Sequence, residues 1–244
     1  MTAMFVRPLH QRIALVLGAL NGAVLKEHAC LFGGGTAIAL RFGEYRESVD
    51  IDFLVSDVPN YRSIRQLLTG PDGINAILLP GKPRLDQLRS IRSDQYGIRT
   101  MLSVAGQPIK FEIVLEGRIL LAAPAEGETI CGIPVLTTLD MAASKLLANS
   151  DRWADDGVFS RDLIDLAMMK PGLPLLRQAI TKAETAYGQA VRTDLGKAIH
   201  QLQQRQGWLE RCMQAMAMTL PKALLWQRVR DLHKALSACE SAIK

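Results

Sequence analysis

The sequence predicts an α+β protein, with a mixed β-sheet and flanking helices over residues 1–136 and a helical domain over residues 137–244. Three observations carry this reading. Short stretches of period-two alternation occur only before residue 136. Beyond it, apolar residues recur at helical spacing and strand signals largely vanish. The length of 244 residues suits one large domain or two modest ones, each able to bury a core.

The elements follow in order. Residues 8–27 repeat with helical period and end near His28. Ala29-Cys30-Leu31-Phe32 is a short apolar run that breaks at Gly33-Gly34-Gly35, and Thr36–Phe42 can form a short helix stopped by Gly43. Val49–Val55 alternates acidic and apolar residues and reads as a strand. Residues 60–70 are helical in pattern, whereas 71–95 are rich in Gly, Pro and charge and show no period. Ile98–Val104 and Pro108–Leu115 flank the turn Ala105-Gly106-Gln107 as a hairpin. Ile133-Pro134-Val135 is a short extended piece. Helices are then expected at Leu139–Ala148, Ser160–Met169, Leu173–Tyr187, Leu195–Arg205 and Lys222–Leu236.

Composition excludes several classes. Hydrophobic residues make up 48% and charged residues 22%, which is globular rather than disordered. Cys30, Cys131, Cys212 and Cys239 lie far apart without a CxxC pair, against a zinc cluster or disulfide framework and in keeping with a reducing cytoplasm. No apolar run approaches the roughly 20 residues that span a bilayer, and Ile13–Leu20 reads as part of an amphipathic helix, not a signal peptide. The formal net charge is +5. Residues 137–244 hold 15 Lys and Arg against 11 Asp and Glu, while residues 1–136 hold 14 against 13, so the surplus favours a polyanionic partner on the helical half. His28, His200 and His233 make no triad or zinc spacing and read as structural.

The chemistry concentrates in Phe32-Gly33-Gly34-Gly35-Thr36 and Ser48-Val49-Asp50-Ile51-Asp52. Glycines let backbone approach a phosphate closely, and a helix start adds N–H groups and a favourable dipole. Thr36 there can cap the helix or donate to a phosphate oxygen. Asp50 and Asp52, at i and i+2 on a strand, project from one face about 6–7 Å apart along it. That suits Mg²⁺, or Mn²⁺ in its place, bound by one or two carboxylates and substrate phosphates. Glu112, an acid inside the apolar strand around Phe111 and Ile113, is the candidate third ligand and a candidate base. A glycine triplet alone is usually a loop, and a lone Asp-x-Asp is usually surface charge. The specific signal is their combination, with thirteen residues between Thr36 and Asp50.

Gly34-Gly35-Thr36-Ala37, Leu40-Arg41 and Ser48-Val49-Asp50-Ile51-Asp52 resemble the signature of the AbiEii/AbiGii toxin family, within the DNA-polymerase-β-like nucleotidyltransferase superfamily. Lys145-Leu146-Leu147-Ala148 and Ser160-Arg161-Asp162-Leu163-Ile164-Asp165 resemble the family's downstream motif, a lysine helix followed by an Arg-Asp-x-x-Asp helix. Many relatives carry Gly-Ser where this chain has Gly-Gly-Thr.

The resemblance implies a nucleotidyltransferase-type sheet with Asp50, Asp52 and Glu112 as metal ligands. It also implies Gly34, Gly35, Thr36, Ser48 and Lys145 at the nucleotide, and Lys145 and Asp162 among the catalytic residues. It implies transfer of a nucleotide from an NTP to an acceptor such as a tRNA 3′ end, and a cognate antitoxin as partner. Lys145 suits phosphate as a mobile point cation. Ser160 can cap its helix, and Asp162 falls in the first turn, where negative charge is favourable anyway. The helical half is expected to receive the acceptor. Two rivals remain open at this level: a small-molecule, antibiotic-modifying transferase, and a non-catalytic binding module of the same fold.

Overall fold

The computed structural model describes residues 5–241, which fall into two compact units dividing between Thr137 and Thr138.

The first unit opens with α1 (Pro8–Leu17) and α2 (Gly22–Glu27). Pro8 sits in the first turn of α1, where its missing N–H costs nothing. The single helix expected over 8–27 is broken because the Asn21 side chain accepts hydrogen bonds from Ala23 N and Val24 N and starts a new helix. Strand β1 (Leu31–Gly33) runs into α3 (Gly34–Arg41), and β2 (Ile51–Val55) leads to α4 (Val58–Thr69). Then come β3 (Asp86–Ser93), β4 (Gly97–Val104) and β5 (Gln107–Leu115).

These five strands form a mixed sheet in the order β1-β2-β5-β4-β3. β2 and β5 are parallel; the other neighbours are antiparallel. Strand β3 left no trace in the sequence pattern because it is an exposed, charged edge with no apolar alternation. Its register slips between Gln87 and Arg89 and again between Arg89 and Arg92, irregularities of the kind that keep sheet edges from pairing with other chains. A two-stranded hairpin, β6 (Thr129–Ile130) and β7 (Ile133–Pro134), closes the unit.

Alternation along β2 and β5 separates core from chemistry. Phe32, Phe53 and Phe111 pack with tilted rings, centroids 5.6 and 5.5 Å apart, inside the sheet's apolar face. Ile51 and Ile113 are fully buried on that same face. Their neighbours Asp52 and Glu112 must therefore emerge on the opposite face.

The second unit is helical: α5 (Thr138–Arg152), α6 (Arg161–Met168), α7 (Leu173–Tyr187), α8 (Ala190–Gln204), α9 (Trp208–Ala215) and α10 (Lys222–Ser241). Helix α5 packs on α6, α7 and α8, and α10 covers the same three. Helix α9 was not foreseen; it is a short segment among Gln, Arg and Met residues. Among the described residues, no helix is long and apolar enough to cross a membrane.

Candidate active site

The sheet's register lines up the site. Gly33 pairs with Asp52, Asp52 with Glu112, Glu112 with Arg99, and Arg99 with Arg92. Partners directly opposite on a pleated sheet share a face. One row therefore crosses all five strands, from a glycine, through two carboxylates, to two guanidinium groups.

At the glycine end the backbone is pressed against the acids. Gly34 has φ +66°, and a Cβ built there would lie 2.5 Å from Asp52 Oδ2. Only glycine fits, both for the left-handed conformation and for the space. Thr36 is buried, does not cap α3, and donates its hydroxyl to Ser48 Oγ at 2.8 Å. Of the two hydroxyls expected at a phosphate, the Ser48 hydroxyl thus keeps its proton for an outside acceptor.

Asp50 lies one residue before β2, is half-buried, and makes no hydrogen bond or ion pair among the described residues. Lys110, two residues from Glu112 on β5, is the counter-cation of the cluster. Burial disfavours its charge, but the hydrogen bond to Glu112 and the charges of Glu112, Asp52 and Asp50 outweigh that and hold its pKa above the ordinary lysine value. The charges of Asp50 and Asp52 thus favour the charged form of Lys110.

Glu112 differs from its expected part. Its Oε1 accepts from Arg99 Nε at 2.5 Å, and its Oε2 accepts from Lys110 Nζ. Both oxygens are engaged, and among the described residues no three His, Cys, Asp or Glu side chains are arranged to hold a metal. Glu112 is thus held by Arg99 and Lys110 beside Asp52. Asp50 and Asp52 still suit a hard divalent cation with phosphate oxygens completing its shell, and Lys110 already supplies positive charge at that spot.

One residue of the site was missed in the sequence. His10 of α1 is fully buried. Its Nδ1 pairs with Glu44 Oε1 at 2.8 Å, and its Nε2 accepts the Ser48 backbone N–H at 3.2 Å. The tautomer is therefore fixed, with the proton on Nδ1. Burial lowers the His10 pKa below its usual value despite Glu44. Glu44 also accepts from Val6 N and Arg7 N, so the start of α1 is tied to the loop that delivers Asp50. Only the helical phase of His10, on the face it shares with Ile13 and Leu17, hinted at its burial.

The second unit brings together the other predicted residues. Lys145 Nζ lies 2.9 Å from Asp162 Oδ1 and 2.7 Å from Asp165 Oδ2, and Arg152 Nε lies 2.7 Å from Asp162 Oδ2. Burial would raise the Asp162 pKa, but Lys145 and Arg152 overcome it and hold the carboxyl far below the usual range. Lys145 spends two of its three N–H donors on these acids, leaving one. Ser160 does not cap α6. It takes a left-handed conformation, as Phe159 does, and its Oγ accepts from Trp208 Nε1 at 2.9 Å while Phe159 stacks on the Trp208 ring.

A glycine bend opening a helix beside an acidic strand, on a five-stranded mixed sheet, defines a nucleotidyltransferase. The chain belongs to the family described as nucleotidyl transferase AbiEii toxin, type IV toxin–antitoxin system, whose sequence profile matches residues 16–235. Two solved structures from Helicobacter pylori share the fold. One is provisionally assigned as a nucleotidyltransferase (17% identity, TM-score 0.51, covering 96% of this chain and 94% of that one). The other is JHP933 (16% identity, TM-score 0.53, covering 98% and 94%). No curated protein matches the sequence significantly.

Proposed function

We propose that this chain moves a nucleotide from an NTP to the 3′ end of an RNA, as the toxin of a toxin–antitoxin pair whose second member is a cognate antitoxin. The observation that carries the reading is the placement of Gly34, at the start of α3, directly against Asp52, with Asp50 two residues before it. In this reading triphosphate and divalent metal would meet at one point. The family's description supports the toxin role and the antitoxin.

In this reading the start of α3 receives the triphosphate on unpaired N–H groups, and Ser48 donates its hydroxyl to a phosphate oxygen. Asp50 and Asp52 would hold Mg²⁺, which supplies neutralisation of charge developing on the reacting phosphate and leaving pyrophosphate. Lys110 adds a fixed positive charge beside them. Glu112 aims Lys110 and Arg99 across the sheet; with both oxygens engaged, it suits positioning better than proton acceptance. Asp162 and Asp165 hold the Lys145 ammonium in place within the helical unit. Catalysis in such a site is positioning and electrostatics, with no covalent intermediate.

The test is mass spectrometry of total tRNA after incubation with each NTP and Mg²⁺, beside a parallel reaction offering aminoglycosides. We expect a mass increment of one or more nucleotides on RNA alone, lost in Asp50→Ala with an unchanged circular-dichroism spectrum. Undiminished transfer by Asp50→Ala would end the assignment.

A further inference from the structure

A cleft of about 850 Å³ on the first unit runs from Glu112 past the end of β5 toward α4. Arg62 and Arg65 of α4, Arg99 of β4, and Arg118 line it, against two acids, Glu112 and Glu116. Arg99 and Arg118 are partly answered by Glu112 and Glu116. The α4 pair is not: Arg65 reaches a backbone carbonyl at Asp94, 3.4 Å away, and Arg62 makes no hydrogen bond or ion pair among the described residues. Arg62 and Arg65 are three apart on a helix and so share a face. Tyr96, also lining the cleft, is 65% exposed, although its ring would ordinarily be covered.

We propose that this cleft is the track for the acceptor's sugar–phosphate chain, with Arg62 and Arg65 on phosphates and Tyr96 as a stacking platform for a base. The proposal rests on the transferase reading and names the acceptor-binding part of that site. Charge order supports it. A polynucleotide whose 3′ hydroxyl must reach the acidic end of the row needs cations for its own phosphates, and these begin immediately beyond Glu112. Unanswered guanidinium groups suit phosphate, and an exposed aromatic ring suits unpaired bases of any sequence. The same lining repels a polycationic acceptor such as an aminoglycoside.

The experiment measures binding without turnover. A 5′-fluorescein RNA hairpin with a single-stranded 3′ end is titrated with the full chain, without NTP or metal, over a range of salt concentrations. Arg62→Glu combined with Arg65→Glu should weaken binding at least tenfold, and its salt dependence should be flatter by roughly 1.4 in log–log slope, the share of two phosphate contacts on a single strand. Tyr96→Ala should bind about fivefold or more weakly. Arg62→Ala with Arg65→Ala repeats the slope test with a milder change should the glutamate variant misfold. Unchanged affinity and slope in both double variants overturn the track. RNA binding without any transfer would instead sink the transferase reading and leave the track standing.

Discussion

Two clusters of acids and cations stand in this chain, and they are built in opposite ways. On the sheet, Glu112, beside Asp52, meets Lys110 and Arg99, whose side chains are 42% and 41% exposed. In the helical unit, Asp162 and Asp165 meet Lys145, and all three side chains are 7% exposed or less. The residue types are nearly the same. What differs is whether water can reach the cations. An exposed ammonium can swing away and yield its place to a divalent ion at small cost. A buried one cannot, because each carboxylate it leaves would stand uncompensated in a poorly polarisable medium. The cations of the first cluster are open to solvent, and the second cluster is a fixed joint between α5 and α6.

The largest effect should come from breaking that joint. Asp162 alone bridges Lys145 and Arg152, so Asp162→Ala leaves a buried ammonium with one partner and a guanidinium with none from this pair. Loss of one partner in a buried pair costs about 3–5 kcal/mol. Urea unfolding followed by circular dichroism should show that loss, whereas a change under 1 kcal/mol would mean the cluster is open like the one on the sheet. Linkage gives the same joint a pH signature. The Asp162 pKa is depressed in the folded state, so its contribution is complete above the unfolded carboxyl pKa and fades as pH falls below it. The variant should therefore resist acid comparatively better than wild type.

The open cluster makes a contrasting prediction. Lys110→Met removes the positive charge beside Asp50 and Asp52 while keeping most of the unbranched side chain. Mn²⁺ should then bind the nucleotide-free protein roughly tenfold more tightly, as expected for a single charge removed from a partly exposed acidic site. Calorimetry or the loss of the free Mn²⁺ resonance would read it. Weaker binding would show that Lys110 organises the acids instead of substituting for a metal.

The two clusters also differ in how far the sequence disclosed them. Asp50, Asp52 and Glu112 are local anomalies, acids within apolar alternation, although β2 begins only after Asp50 and it is the β2–β5 register that sets Glu112 beside Asp52. The glycine bend declares itself because φ +66° against Asp52 leaves no alternative residue. The joint shows Asp162 and Asp165 at one spacing and Lys145 at another, and nothing in either says that the three meet. Nor did counting charge by halves find the arginine cleft. The helical half holds the greater surplus, yet Arg62, Arg65, Arg99 and Arg118 gather on the first unit because α4 and two ends of strands converge there. Strand β3 escaped for the complementary reason: a charged edge has no buried face to write a pattern.

The smallest expected effect belongs to His10, buried like the joint but serving the open cluster. Its pKa lies below the usual histidine value, so the folded state favours the neutral ring that accepts from Ser48 N. Stability is complete above about pH 6.5, the ordinary histidine value. It falls as pH drops from there toward the depressed pKa, with a slope of at most about 1.4 kcal/mol per pH unit for one proton. Glu44 enters later: burial would raise its pKa, but the Val6 and Arg7 N–H groups and His10 bring it below the usual carboxylate value. His10→Gln can neither gain nor lose that proton, so its unfolding free energy should stay flat through the upper part of this window. A variant that kept the wild-type slope would move the titration to another group and detach α1 from the control of the Ser48–Asp50 loop.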